Sequence, residues 1–199
     1  MESVVSNKPS EEEERHFSQV NEDARRRLRA ELDVAAQKAA DARLIAARLS
    51  TLRTSVIDRI QAMGFDADKA RVFDLLPLVH VAWADGKVQA SERRTILNIL
   101  TTRGIESDSE AWLLIEALLE ERPSAAFLDE TLDILRDLVG GSHDRAASLV
   151  ELSIRVAEAH GALFGLLGTV SDEERKVLEH IASALSPQAS AEFAARISG

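Results

Sequence analysis

The feature that most limits what this chain can fold into is an apolar stripe with steps of three and four residues. It runs from Phe17 through Leu28, Ile45 and Val56 to Met63, and no glycine or proline interrupts Glu11–Ala62. Only an α-helix brings residues at that spacing onto one face. The stripe predicts one long helix, or two in register, with its weakest point at Ser50-Thr51 and a stop at Gly64, where glycine tolerates the left-handed conformation. Many stripe positions are alanine (Ala24, Ala35, Ala39, Ala42), so each turn buries little area. Residues 11–64 therefore read as an N-terminal helical arm that packs on the rest of the chain or on a second copy, which makes a homo-oligomer one expected assembly. Residues 1–10 (MESVVSNKPS) carry no periodicity and read as a disordered tail.

Residues 65–199 continue in the same period. Ala70–Ala84 (ARVFDLLPLVHVAWA) is apolar around most of its circumference, as a helix buried on several sides must be. Pro77 either kinks it or marks its start. An Asp-Gly turn at Asp85-Gly86 leads to a helix over Ala90–Arg103 that stops at Gly104. Helices follow over Asp108–Glu121 with Asp108 as N-cap, over Ser124–Val139 before Gly140-Gly141, and from Ser142 to about Phe164. Ser171–Leu185 and Pro187–Ile197 complete the set. No alternation of β-branched residues survives, so the fold class is all-α, with seven or eight helices.

Composition removes several classes of function. With no cysteine there is no disulfide, thiolate nucleophile or zinc knuckle. A net charge of −10 argues against a nucleic-acid partner, which needs a basic footprint. No apolar run reaches membrane-spanning length and no signal peptide is visible, so the expectation is a cytoplasmic protein with no membrane insertion. The sequence has no Gly-x-Ser-x-Gly, P-loop or dinucleotide fingerprint. The one basic cluster, Arg25-Arg26-Arg27 with Arg29, lies among Glu22, Asp23 and Glu31 and reads as a solvated helix face. His80, on the apolar helix, reads as a core or boundary histidine. Trp83 and Trp112 read as core anchors.

The chemistry-bearing segment is Val81–Leu100, VAWADGKVQASERRTILNIL. Asp85 and Glu92 lie seven residues apart across a helix–turn–helix, so two carboxylates could share a hard cation through oxygen ligands. Two structural roles compete. Asp-Gly makes the turn by itself, and Glu92 stabilises the positive end of its helix, or reaches back to Gln89 in a capping box with a poor cap residue. An EF-hand is excluded, because Val81 and Trp83 stand where that loop needs oxygen ligands.

Ala84-Asp85-Gly86-Lys87-Val88 with Glu92, after the run Leu75–Trp83, resembles the TerB-like (tellurite-resistance) family, whose domain also occurs at the N-terminus of a membrane-anchored DnaJ-like co-chaperone. A second, weaker copy in Phe164–Leu185 supports the resemblance. A shift of 82 residues aligns Gly86 with Gly168, Val88 with Val170, Glu92 with Glu174, Arg93 with Arg175 and Ile99 with Ile181. The resemblance covers roughly Asp66–Leu185. It implies a TerB-like helical bundle of seven to eight helices whose acidic cluster can bind a divalent cation (Ca²⁺, Mg²⁺ or Mn²⁺). Leu167 stands where the second copy would repeat Asp85, so one oxygen is lost. Ser171-Asp172-Glu173-Glu174 is also a good capping box. Glu158 and His160, two turns earlier, could supply replacement ligands or be ordinary helix-surface residues.

The ligand set expected on this basis is Asp85, Glu92, Glu158 and Glu174, with no catalytic residues. The functional expectation is a non-enzymatic module acting through protein contacts in a stress or envelope-linked response, with contact to a membrane-bound partner allowed. A self-associating structural protein without a metal site is the alternative. A metal-dependent hydrolase ranks last, for want of a convergent His–carboxylate set.

Overall fold

The computed structural model describes residues 11–51, 53–140, 142–161 and 170–197. Among these residues every regular element is helical: α1 (Glu11–Leu49), α2 (Thr54–Ala62), a 3-10 stretch (Lys69–Leu75), α3 (Leu76–Ala82), α4 (Ala90–Thr102), α5 (Glu110–Glu120), α6 (Ala125–Val139), α7 (His143–Gly161), α8 (Asp172–Leu185) and α9 (Pro187–Ile197). The expected all-α class holds. The tail of residues 1–10 and the Phe164–Gly168 part of the second copy lie outside the described residues.

The chain divides into two compact units, residues 1–43 and residues 44–199. The first is the helical stretch from Glu11 onward, in which Leu28, Leu32 and Val34 are exposed. The second holds the core and every site considered below.

The break expected at Ser50-Thr51 is present. Leu49 ends α1 and Ser50 takes a positive φ of 51°, so α1 and α2 are separate helices. The apolar run around Pro77 is likewise two elements, because proline lacks the N–H that a helix interior needs and is tolerated only in a first turn. The run therefore starts as a 3-10 stretch and restarts as α3 at Leu76, with Pro77 in the first turn. All seven residues of α3 are buried. That follows from its position, since α3 packs against α4, α5, α6, α7 and α8. A helix surrounded on every side has no face for polar residues, which explains why LPLVHVA carries no amphipathic pattern.

The remaining helices follow their caps. Ser124 accepts the Phe127 amide to start α6, and Gly140 ends it at a φ of 58°. For α5 the N-cap is Ser109 rather than Asp108. Its hydroxyl accepts the Trp112 amide, while Asp68 takes the Ala111 amide at 3.0 Å and so shares the same helix start. Trp83 is half-buried and its indole N–H donates to the Leu118 carbonyl at 2.9 Å, tying the end of α3 to α5.

Candidate functional site

The site is built where α3 turns into α4 and where α8 begins. Gly86 makes the turn at a φ of 91°, and Asp85 stabilises it from outside: its Oδ1 accepts the Lys87 amide and its Oδ2 accepts the Gln89 side-chain amide, each at 3.2 Å. Asp85 itself is exposed. Its carboxylate therefore performs the turn-making role that its neighbour Gly86 suggests.

Glu92 is the third residue of α4 and is only 2% exposed. Its Oε2 accepts the Gln89 backbone amide at 2.7 Å, the reach-back half of a capping box. Glu174 repeats this at the start of α8. It is 5% exposed, its Oε2 accepts the Ser171 amide at 2.7 Å, and its own amide donates to the Ser171 hydroxyl at 3.1 Å. The 82-residue register of the two sequence copies thus reappears as two helices that each begin with a glutamate reaching back to its N-cap amide, Glu92 to Gln89 and Glu174 to Ser171.

The two boxes face each other. Glu174 lies within hydrogen-bonding reach of the Glu92 carboxyl, and both Glu174 and Asp85 add negative charge beside it. Two carboxyl groups can bond in this way only if a proton lies between them, because two carboxylates offer acceptors alone. The Glu92 carboxyl is accordingly pushed up to about 8, first by burial and then by the nearby charges of Glu174 and Asp85, against the lowering effect of the Gln89 amide. The pair that the fold brings together is therefore Glu92 with Glu174. Glu158 is exposed on α7, with no hydrogen bond or ion pair among the described residues, and the His160 side chain lies outside them. Sequence reasoning placed both glutamates as candidates but missed their direct contact. Their identical register in the two copies was the signal that could have found it.

Arginines follow both glutamates. Arg93 bridges α4 to α5 through Glu116 at 3.2 Å and Glu120 at 3.4 Å, whereas Arg175 stays local on Asp172 at 2.7 Å. Arg93 thus ties its helix to a neighbour, whereas Arg175 pairs within its own helix.

A scan of the sequence against family models matches the model for "Tellurite resistance protein TerB" over residues 75–196, well over half of the chain. The chain belongs to the TerB family. The match runs from the last residue of the 3-10 stretch into α9, so the TerB domain contains both capping boxes and leaves α1 and α2 outside. No curated protein and no solved structure matches the chain. Among the described residues, no helix of this TerB protein is long and apolar enough to cross a membrane.

No group of three or more His, Cys, Asp or Glu stands ready to hold a metal among the described residues. What is present is a pair of carboxyls, each with Oε2 engaged by a backbone amide and Oε1 left over. Two such oxygens would suit only an ion that keeps most of its water shell, as Mg²⁺ and the similarly hard Mn²⁺ do. They suit Ca²⁺ less, since it prefers six to eight oxygen ligands drawn largely from protein.

Proposed function

We propose that this TerB domain is a non-enzymatic module in which Glu92 and Glu174 exchange their shared proton for a hydrated divalent cation, with Asp85 adding charge at the mouth. The observation that supports this is that two buried carboxyls, each opening a different helix, lie within hydrogen-bonding reach of each other. When bound, the ion supplies two positive charges where the protein otherwise needs a proton. Glu92 and Glu174 would hold it, and the Gln89 and Ser171 amides would keep their carboxylates oriented. Ion binding would then fasten the start of α4 to the start of α8 and set the surface offered to a protein partner. The family's printed name, tellurite resistance, supports reading that role as part of a stress response.

The test is thermal unfolding with and without millimolar Mg²⁺, Mn²⁺ or Ca²⁺ at pH 7. Binding to the native state alone must raise stability as RT ln(1 + [L]/Kd). The proposal expects a rise in Tm with Mg²⁺ or Mn²⁺ that Glu174→Gln abolishes and Asp85→Ala reduces. No rise in the wild type, or a rise that survives Glu174→Gln, contradicts it.

The second reading keeps the same pair as a purely structural clasp, with the proton as its permanent occupant. Its supporting observation is that every carboxyl involved already serves its own turn or helix start.

A further inference from the structure

A second locality, away from the carboxyl pair, carries an opposite charge. A cavity of about 400 Å³ opens between the end of α1, the 3-10 stretch, the ends of α4 and α6, and the start of α7. Its floor is aliphatic: Leu49, Leu135, Leu138 and Leu149 line it, each 8% exposed or less. Its rim carries Arg48, Arg71, Arg103 and Arg145 against two carboxylates, Asp74 and Asp144. Four guanidinium groups around one apolar hollow are unexpected in a chain with a net charge of −10.

Structural duties account for part of this rim. Arg103 pairs with Asp74 at 2.7 Å, and Arg71 pairs with Asp68 at 3.1 Å while donating to the Gly104 carbonyl at 2.8 Å. Arg145 donates to the Leu138 and Leu49 carbonyls at 3.3 and 3.2 Å, which caps the ends of α6 and α1 but brings no carboxylate to its charge. Arg48 is exposed in the last turn of α1 and has no partner among the described residues. Helix capping thus explains Arg145 and Arg71 and leaves Arg48 unexplained at the mouth.

We propose that this cavity binds a monomeric aliphatic carboxylate, its chain on the leucine floor and its head group against Arg48 and Arg145. The volume lies within the range of small-molecule sites, and an apolar lining with a few convergent polar groups is their usual composition. Guanidinium groups recognise carboxylates through paired N–H donors. Asp144 at the same mouth opposes a doubly charged head group, so a monoanion is preferred to a phosphate monoester.

The probe is decanoate, below the concentration at which it forms micelles, titrated into the full chain by calorimetry. The result expected is saturable binding at one site, weakened roughly tenfold by Arg48→Glu and by Leu152→Glu at the half-buried rim. Arg94→Glu, on an exposed face of α4 outside the cavity, should leave it unchanged. Butyrate, which lacks the tail, and decanol, which lacks the charge, should both bind more weakly, and added salt should reduce the affinity for decanoate. Absence of saturable binding overturns the proposal. So does decanol binding as tightly as decanoate, wild-type affinity in folded Arg48→Glu, or association with anionic vesicles in place of monomeric decanoate.

Discussion

Glu92 and Glu174 come within hydrogen-bonding reach of each other while each also accepts the amide of its own N-cap residue, Gln89 and Ser171, at 2.7 Å. Each carboxyl is therefore held in place by its own helix start before it meets the other. The arrangement places two acidic groups where water cannot screen them, and a proton or a cation must answer the charge.

The first consequence is a pH dependence of stability on the alkaline side. The Glu92 carboxyl sits at about 8 in the folded chain against an ordinary 4.5, so the folded state holds a proton that the unfolded state has released. The stabilisation is complete below the unfolded value and is lost as pH rises from about 4.5 to about 8. Glu92→Gln keeps an oxygen acceptor for the Gln89 amide and cannot ionise. In chelator, urea unfolding of this variant against wild type should show its relative stability improving from pH 5 to pH 8. A constant difference across that range would show that Glu92 does not hold its proton.

His80 gives the mirror image on the acid side. It is 8% exposed, its Nε2 has no hydrogen-bond partner, and burial first, then the charge of His180, pushes it down to about 4. Asp129 on α6 lies 4.0 Å from His180 on α8. Here the unfolded chain takes up the proton first. Stability is therefore lost as pH falls from about 6.5 to about 4. His80→Met, similar in volume and without the orphaned nitrogen, should flatten this limb in acid-unfolding measurements and gain on the order of 1 kcal/mol at neutral pH from the removed unsatisfied group. An unchanged acid limb would assign it to other groups.

At Gly86 the cost of substitution is conformational rather than steric. Its φ is 91° and nothing lies within 4 Å of an added Cβ. Gly86→Ala should lower stability by about 1 kcal/mol, and Gly86→Asn by less, since asparagine tolerates left-handed backbone. Equal stability of the alanine variant in denaturant titration would mean that the turn relaxes away from positive φ.

The two helix starts differ in their cap residue. Ser171 supplies a hydroxyl to the Glu174 amide at 3.1 Å, whereas the Gln89 side chain makes no cap hydrogen bond and donates instead to Asp85. Ser171→Ala should cost about 1 kcal/mol and Gln89→Ser should gain a few tenths or more, both read from thermal unfolding. Opposite signs would indicate that the glutamates, not the caps, set the stability of these ends.

Much of the helical architecture was legible because single residues announced it. Ser124 and Gly140 bound α6, and Ser171 opens α8, each through chemistry confined to a few neighbouring residues. The start of α5 was misplaced by one residue because Asp108 and Ser109 are both competent caps. Only the fold shows that Asp68, more than forty residues away, already serves the next amide. The 3-10 stretch before Leu76 was hidden for a related reason: Pro77 forces a new helix start, but the geometry of the residues before it depends on what they pack against. At the site, Asp85, Glu92 and Glu174 were each visible as acidic residues near helix starts. Their grouping was not, because it joins copies 82 residues apart that only the folded chain brings near each other.

The most direct test of the carboxyl pair is the number of protons released when a cation binds. Mg²⁺ or Mn²⁺ is titrated into the full chain at pH 7 by calorimetry, in two buffers of different ionisation enthalpy. An ion that takes the place of a shared proton must expel it, so the account predicts release of about one proton per ion bound, lost in Glu92→Gln. Binding without proton release, or no binding at millimolar ion, would contradict it.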